Sequence, residues 1–184
     1  MIEVEFKIPV RDLSYVEDRL RSIGAVYLRG GIEVDYYLKH PCRDFKSTDE
    51  ALRVRVSDDR ASICYKGPRI SLESKTRVEV ESEVSDYKSV LELFRMLGFG
   101  VFATIRKYRK VYRYSRFKIS LDHVYGLGDY IEVEESIEST DLIPYAEERI
   151  KKFIVDVLQL SIDYSIKKSY LELYLEKYFS EYGF

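Results

Sequence analysis

Several short stretches of the chain alternate between apolar and polar side chains. In the first of them, residues 2–8, isoleucine, valine and phenylalanine occupy the even positions, whereas Glu3, Glu5 and Lys7 occupy the odd ones. Successive side chains of a β-strand point to opposite sides, so each such stretch would bury one face only. Similar alternation recurs in residues 52–56, 63–66, 107–109, 118–122 and 130–134. The pattern predicts a β-rich protein with amphipathic strands.

Turn residues divide these stretches into about eight predicted strands. Boundaries fall at Pro9, at Asp58-Asp59, which joins two strands of a hairpin, and at the tight turn of residues 126–128. The predicted strands cover residues 2–8, 25–38 with an interruption at Gly30-Gly31, 51–57, 62–66 ending at Gly67-Pro68, 77–84, 100–114, 117–125 and 129–137.

Four other stretches repeat apolar residues every three or four positions, which predicts amphipathic helices. The first covers residues 13–23 and is closed by Gly24. The second is capped by Ser85-Asp86 and ends at Gly98. The third covers residues 143–158, and the last extends over residues 166–179.

The last predicted helix has tyrosines at every fourth position: Tyr170, Tyr174, Tyr178 and Tyr182. Residues four apart lie on one face of a helix, so this face favours packing against the body of the protein. A lid over one end of the sheet and a contact between two copies of the chain are the alternatives.

The order of elements is the same in the two halves of the chain. Residues 2–5 resemble residues 78–81, and each stretch precedes a helix, a long strand and a hairpin. Residues 1–68 and 77–137 therefore form two similar units, followed by C-terminal helices in residues 139–182. Two four-stranded units that close on each other leave no free edge. We predict one domain, residues 1–184, of the α+β class: a closed antiparallel eight-stranded β-barrel covered outside by helices.

The composition narrows the class of protein. Of 184 residues, 46% are apolar and 34% are charged, which excludes a disordered chain and a membrane protein. No apolar run approaches the ~18 residues of a spanning helix, so we expect a cytoplasmic protein. A net charge of −2 disfavours a long nucleic acid as partner. Cys42 and Cys64 lack the spacing of a zinc site or a disulfide framework.

The predicted helices decide which way the charged strand faces point. For any single strand, an apolar face in the core and a charged face in water is the commoner arrangement. The helices, however, also need an apolar surface. If they cover the outside of a closed sheet, the charged faces must line its interior, where an eight-stranded barrel has room for side chains or one small ligand. We therefore predict a tunnel with a charged lining.

The charges are divided unequally between the strands. The first half of the chain supplies mostly bases, including Arg53, Arg55 and Lys66, and the last strand supplies Glu132 and Glu134. Arginine and lysine bind phosphate oxygens, whereas carboxylates bind Mg²⁺ or Mn²⁺, which often bridge to substrate phosphates. Enclosed charges are costly unless they pair with each other or with ions and a ligand. Together they predict a site for a metal-bound triphosphate.

Several motifs, in their order along the chain, resemble the CYTH superfamily, the triphosphate tunnel metalloenzymes. The first is an ExExK signature at residues 3–7. It is followed by Leu-Arg-Val-Arg at 52–55, Tyr-Lys-Gly-Pro at 65–68, Lys-Tyr-Arg at 107–109, Leu-Asp at 121–122 and Glu-Val-Glu at 132–134. Residues 169–173, Ser-Tyr-Leu-Glu-Leu, are similar to the archaeal branch of class IV adenylyl cyclases. The likeness covers nearly the whole chain.

The resemblance implies a role for most charged residues of the tunnel. Divalent ions, Mg²⁺ or Mn²⁺, would be held by Glu3, Glu5 and Glu134, with Glu132 alongside and Asp122 completing the site. The triphosphate would be bound by Lys7, Arg53, Arg55, Lys66, Lys107 and Arg109, and by Lys118, which fits by parity alone. The catalytic residues would be Glu3, Glu5, Lys7 and Glu134. Which of Arg77, Glu79 and Glu81 reaches the metals is left open.

The resemblance also implies a metal-dependent enzyme acting on a nucleoside or other triphosphate. Because residues 169–173 are similar to class IV adenylyl cyclases, the first candidate activity is that of an adenylyl cyclase, which converts ATP to cyclic AMP and pyrophosphate. The alternative is a triphosphatase that acts on inorganic or thiamine triphosphate, and it would use the same tunnel residues. A non-catalytic module would need the bases but not Glu3, Glu5 and Glu134. The motifs do not indicate which end of the substrate would lie over the metals. They also leave open whether the protein forms a homodimer.

Overall fold

The closed barrel predicted from the alternating strands is present. The computed structural model describes residues 2–58 and 60–179. The strands are β1 (Ile2–Pro9), β2 (Val26–Lys39), β3 (Ala51–Ser57), β4 (Arg60–Arg69), β5 (Arg77–Val84), β6 (Gly100–Tyr114), β7 (Phe117–Val124) and β8 (Gly128–Ile137). All neighbours are antiparallel, and the barrel closes in the order β1-β5-β4-β3-β2-β6-β7-β8. The predicted α+β class and eight-stranded barrel are confirmed.

Four α-helices accompany the barrel in the described part of the chain: α1 (Leu13–Ser22), α2 (Tyr87–Met96), α3 (Ile143–Lys152) and α4 (Tyr170–Phe179). A single π-helical turn, Phe153–Val157, continues α3 over most of the length that the sequence predicts. None of these helices is both long enough and apolar enough to cross a membrane.

Strand β2 is continuous where the sequence predicts an interruption at Gly30-Gly31. Both glycines pair with β6, Gly30 with Lys110 and Gly31 with Arg109. A Cβ atom at Gly31 would lie 2.5 Å from Oδ2 of Asp58. The missing side chain of Gly31 leaves room for this carboxylate, and the glycine does not break the strand.

Strand β4 is longer than the sequence predicts. It continues through Gly67-Pro68 to Arg69, and its register with β5 becomes irregular after Lys66. Proline lacks a backbone N–H and is tolerated at such an irregularity. The residue Asp59, predicted to form the turn between β3 and β4, lies outside the described residues.

Helix α4 begins at Tyr170, four residues later than predicted. Ile166 instead forms a β-bridge with Lys7 of β1, so a tertiary hydrogen bond replaces the first predicted helical turn. Tyr170 is buried, and the hydroxyl of Tyr178 donates to the carbonyl of Gly126 at 3.0 Å. The tyrosine face thus packs against the body of the protein, while Tyr182 lies outside the described residues.

The main hydrophobic core lies between the outer face of the barrel and the helices α1 and α3. The even-numbered residues of β1 turn outward and contact this core, together with apolar residues of β7 and β8. Helix α1 contributes Val16 and Leu20, and α3 contributes Ala146 and Ile150. Because strand side chains alternate, the odd-numbered charged residues of β1 face the interior of the barrel.

The helical cover of the barrel is uneven. Helix α2 begins as predicted at Asp86, whose carboxylate accepts hydrogen bonds from two backbone N–H groups, but it buries none of its own residues completely. On the outer face of β5, Val80 is 61% exposed. The apolar outer surface is therefore covered mainly on the side of β1, β7 and β8.

Strand β1 joins its two neighbours to very different extents. It pairs with β8 along its whole length but with β5 only at its first two described residues. Two other segments close the remaining edge. The N–H of Lys75 donates to the carbonyl of Glu5 at 3.0 Å, and the N–H of Ile166 donates to the carbonyl of Lys7 at 2.8 Å. We call this join the β1–β5 seam.

One end of the barrel is closed by aromatic and aliphatic side chains. Tyr37, Ile105 and Tyr130, from three different strands, meet Tyr170 of α4 in a second buried cluster. The opposite end carries charged side chains, among them Glu3 on β1 and the exposed residues Glu81 and Lys118. The two ends of the barrel thus differ, one being filled by buried apolar side chains and the other carrying exposed charges, and we call the end at Glu3, Glu81 and Lys118 the mouth.

We expect Ile150→Ala to destabilise the protein by about 2–5 kcal/mol, because it empties a fully buried position between α3 and the barrel. Leu93→Ala on α2 is the matched control, since Leu93 is half-exposed and should cost less than about 1 kcal/mol. Urea unfolding monitored by circular dichroism measures both values. Equal costs would contradict the uneven helical cover.

Candidate functional site

The charged residues predicted to line a tunnel do share its interior. Register pairs place like-facing residues of neighbouring strands side by side, for example Glu5 with Glu134 and Lys7 with Glu132. The residues gathered in this way are Glu3, Glu5, Lys7, Arg53, Arg55, Lys66, Glu79, Glu81, Lys107, Arg109, Lys118, Asp122, Glu132 and Glu134. The predicted inward orientation of the charges is confirmed.

Two acidic residues of β2, which the sequence reading did not single out, organise the basic wall. Nε and Nη2 of Arg55 donate to the two oxygens of Asp35 at 2.6 and 2.8 Å. The ammonium of Lys107 lies 3.0 Å from Asp35 and 3.3 Å from Glu33. Their signal in the sequence is the alternation of residues 33, 35 and 37, which share one face of the strand opposite Arg53 and Arg55.

The electrostatics of this wall favour the charged form of both acids. Burial opposes ionisation of Asp35, but Arg55 and Lys107 outweigh it and hold its pKa well below the usual range. Burial likewise opposes ionisation of Glu33, but Arg109 and Arg55 lower its pKa. The carboxylates of Asp35 and Glu33 therefore neutralise the basic wall and hold its guanidinium groups in place.

Three polar atoms in the tunnel wall are buried without a hydrogen bond. They are Nε of Arg53, Oε2 of Glu33 and Oγ of Ser120. The ion pair of Arg53 is long, since its Nε lies 3.8 Å from the nearest oxygen of Asp35. A buried guanidinium with an unused donor is costly unless a ligand supplies the missing acceptor. The wall thus has unused capacity for an anion.

A second cluster joins β6, β7, β8 and α4 at the closed end. Arg109 forms ion pairs with Asp122 and, at 2.5 Å, with Glu132. The hydroxyl of Tyr170 donates to Asp122 at 2.7 Å, and the ammonium of Lys7 lies 3.5 Å from the centre of the Tyr170 ring. Packing was the favoured prediction for Tyr170, with a lid over one end as an alternative, and its side chain contacts two candidate site residues.

Two of the buried lysines, Lys7 and Lys107, have lowered pKa values. Burial, followed by the neighbouring Lys75, lowers the pKa of Lys7 to about 7. Burial, followed by Arg55, lowers the pKa of Lys107 to about 8. An anion bound next to these ammonium groups would favour their charged forms. The deep part of the tunnel therefore favours a negatively charged ligand.

The acidic wall consists of carboxylates on β1, β5 and β8. Burial, together with the facing carboxylates Glu134 and Glu79, raises the pKa of Glu3 to about 7. Burial, followed by Glu132, also raises the pKa of Glu5. Like charges that face each other on neighbouring strands repel. A cation placed among them would relieve this repulsion.

Each of three wall carboxylates has a lysine partner. Glu5 pairs with Lys75 at 2.6 Å, Glu79 pairs with Lys66, and Glu134 pairs with Lys118. These pairs draw the oxygens apart, and no group of three potential metal ligands converges within the described residues. The donor chemistry nevertheless fits Mg²⁺ or Mn²⁺, which prefer carboxylate oxygens. Binding of an ion would require these pairs to rearrange.

The residues left open by the sequence lie at the margins of the tunnel. Arg77 is buried, and its Nη2 lies 3.8 Å from Oδ1 of Asp49. Glu81 accepts a hydrogen bond from Ser62 at 2.6 Å near the mouth. Of these, only Glu79 contributes to the repulsion at Glu3.

Comparisons with known proteins agree with the motifs. The sequence model of the CYTH domain matches residues 1–168. A candidate adenylate cyclase of Methanocaldococcus jannaschii is 38% identical over 173 residues, which cover 94% of this chain and 98% of that protein. Adenylate cyclase CyaB of Aeromonas hydrophila is 26% identical over 145 residues, covering 77% and 73%. The structure of the PH1819 protein from Pyrococcus horikoshii is 38% identical, with a TM-score of 0.87 and coverages of 95% and 99%.

We expect Glu3→Gln to stabilise the protein at pH 8 but not at pH 4. The pKa of Glu3 rises from 4.5 to about 7 on folding, so the fold favours the protonated carboxyl. Wild type therefore loses stability as the pH rises from about 4.5 through about 7, whereas glutamine stays neutral. Allowing for partial exposure, the gain at pH 8 should be about 1–2 kcal/mol.

Urea unfolding in a chelating buffer at both pH values measures this gain. The control is Glu138→Gln, at an exposed position just after β8. It should change the free energy of unfolding by the same small amount at pH 4 and at pH 8. A gain for Glu3→Gln that is the same at pH 4 and pH 8 would contradict the raised pKa.

Proposed function

We propose that this chain, which belongs to the CYTH domain family, is a divalent-metal-dependent adenylyl cyclase that converts ATP to cyclic AMP and pyrophosphate inside the tunnel. The observation that carries this proposal is the division of the lumen. A basic wall in which Nε of the buried Arg53 has no hydrogen-bond partner faces an acidic wall whose carboxylates repel each other. The first suits phosphate oxygens, and the second suits cations.

The basic wall would bind the triphosphate. Arg53 and Arg55 project from β3, and Lys107 and Arg109 project from β6, on either side of β2. Lys7 on β1 and Lys66 on β4 complete the set of bases. Asp35 and Glu33 hold these side chains in position, so few rotamers need to be fixed when the substrate binds. Asp122 also holds a basic side chain in position, because it accepts hydrogen bonds from Arg109 and from Tyr170. We assign it the positioning of Arg109 in addition to the metal role that the resemblance implies.

The acidic wall would hold the metal. Glu3, Glu5, Glu132 and Glu134 are the ligands we propose for Mg²⁺ or Mn²⁺, with Glu79 facing them from β5. When bound, such an ion neutralises phosphate charge and steadies the leaving oxygens. The chain's own contribution is to orient the triphosphate and to exclude water from the closed end.

The charge balance suggests that metal and triphosphate bind together. Each predicted phosphate-binding base already lies within ion-pair distance of a carboxylate. A triphosphate alone would bring several uncompensated negative charges into a nearly neutral, enclosed space. A triphosphate with its divalent ions brings little net charge, so this is the form we propose as substrate.

The closed end favours a cyclase. Because Tyr37, Tyr130 and Tyr170 fill that end, a triphosphate would enter terminal phosphate first, and its α-phosphate would stay nearer the mouth. Glu3 and Glu134 lie on the mouth side of Glu5 and Glu132. In a cyclase the ribose 3′-hydroxyl attacks the α-phosphorus, and pyrophosphate leaves. The carboxylates nearest the mouth are then closest to the reacting phosphorus.

A triphosphatase is the second candidate, because Glu5 and Glu132 reach the deep part of the tunnel. There water would attack the terminal phosphorus of an inorganic or organic triphosphate. A non-catalytic binding module is the third, and it would use the bases alone.

An assay of the purified protein with ATP or tripolyphosphate and with Mg²⁺ or Mn²⁺ distinguishes the three candidate functions by their products. Cyclic AMP supports the cyclase, orthophosphate supports the triphosphatase, and tight binding without turnover supports the module.

We expect Glu5→Gln to reduce turnover at least about 100-fold while triphosphate binding stays measurable, since it removes one proposed metal ligand and no base. Product formation and calorimetric titration with tripolyphosphate measure the two effects. Glu138→Gln should leave both unchanged because it lies outside the tunnel. Full activity of Glu5→Gln would exclude a metal role for this residue.

We expect Arg53→Met to weaken tripolyphosphate binding at least about tenfold, because it removes a buried charged donor that has no hydrogen-bonding partner at Nε. The matched control is Arg95→Met on α2, where the arginine forms an exposed ion pair with Glu92. Calorimetry with Mg²⁺ present compares the two. Equal affinities of Arg53→Met and Arg95→Met for tripolyphosphate would contradict the proposal that the basic wall binds the triphosphate.

A further inference from the structure

The segment between β4 and β5 sends one lysine into the tunnel. Lys75 is not on a barrel strand, and none of the motifs includes it. Its side chain is only 9% exposed, and its ammonium lies 2.6 Å from Oε1 of Glu5 and 4.0 Å from Oε1 of Glu132. The ammonium thus lies beside two carboxylates proposed to hold the metal.

The backbone around Lys75 is firmly anchored. Its N–H donates to the carbonyl of Glu5 in the β1–β5 seam. The hydroxyl groups of Ser71 and Ser74 donate to the same oxygen of Glu147, at 2.5 and 2.6 Å. Glu147 belongs to α3 and is buried. The ammonium is therefore held at the acidic wall by a fixed backbone, and only its side chain is free to change rotamer.

Lys75 differs from the other lysines that pair with the acidic wall. Lys7, Lys66 and Lys118 project from strands and are expected to contact phosphate. Lys75 enters through the seam, where β5 leaves the edge of β1 unpaired. A metal ion and this ammonium both require the oxygens of Glu5 and Glu132, and two cations at such short range repel.

We propose that Lys75 is the resident counter-cation of the acidic wall: it neutralises Glu5 in the free protein, lies next to Glu132, which also pairs with Lys7 and Arg109, and competes with the divalent ion for these carboxylates. The proposal rests on the proposed function, because it takes these carboxylates as metal ligands. Its consequence is that the free protein binds the metal weakly. The side chain must leave the carboxylates before the ion can use them.

The test is direct titration with Mn²⁺, in the absence of triphosphate, followed by electron paramagnetic resonance. Lys75→Met should bind Mn²⁺ at least about tenfold more tightly than wild type, because the competing charge is gone and the stem is retained. Lys75→Arg, which keeps the charge, should stay close to wild type. The matched control is Lys151→Met, which removes an outer lysine that pairs with Glu73 of the same segment.

Thermal unfolding provides the second measurement. A ligand that binds only the folded state stabilises it by RT ln(1 + [L]/Kd), so at the same concentration Mn²⁺ should raise the Tm of Lys75→Met more than that of wild type. Unchanged or weaker Mn²⁺ binding by Lys75→Met would overturn the proposal, as would tighter binding by Lys151→Met to the same degree. If wild type and Lys75→Met both fail to bind Mn²⁺, this proposal and the metal site fall together. If both bind equally, only the role of Lys75 falls.

Discussion

The structure depends on neutralising charges that a closed sheet has turned inward. An ionised side chain loses its hydration in an enclosed space, and the loss is compensated only when an opposite charge or several hydrogen bonds are close. Here Asp35 and Glu33 compensate the arginines and Lys107, while Lys66, Lys75 and Lys118 compensate the carboxylates. The apolar faces, in turn, have no place except on the outside, where α1 and α3 cover part of them.

The two parts of the chain that are not barrel strands complete the tunnel. The segment before β5 supplies Lys75 and a backbone donor to β1, and the segment before α4 supplies a second donor through Ile166. Tyr170 then closes the end of the lumen and contacts Lys7 and Asp122. The seam between β1 and β5 is thus held by side chains and loops that also reach the candidate site. Changes at the site and changes in the seam are expected to affect each other.

The same residues could serve several reactions, and the shape of the tunnel distinguishes among them. Phosphoryl chemistry requires mainly positioning and charge compensation, and both walls supply these for any triphosphate. What selects a reaction is the depth at which each phosphorus atom lies relative to the carboxylates. In the proposed binding mode the closed end at Tyr170 would set that depth, because it would determine how far the terminal phosphate can enter.

Much of this organisation follows from local pattern. The alternation in residues 2–8 and in the later strands predicted which side chains share a face, and Asp86 and the glycines after α1 and α2 predicted helix boundaries. The sequence alone therefore places the ionised residues of the motifs on one surface. The inward direction of that surface also followed, since the helices needed the apolar side.

Only the tertiary structure decided which charges meet. Gly30-Gly31 and Gly67-Pro68 did not break their strands, and Ile166 paired with Lys7 instead of starting a helix. Asp35, Lys75 and Tyr170 joined the site from β2, from a connecting segment and from α4. Alternation determines the face of a residue from its immediate neighbours. The partners of a buried charge depend on strand register, seam and closure, which are set by contacts between residues far apart in the chain.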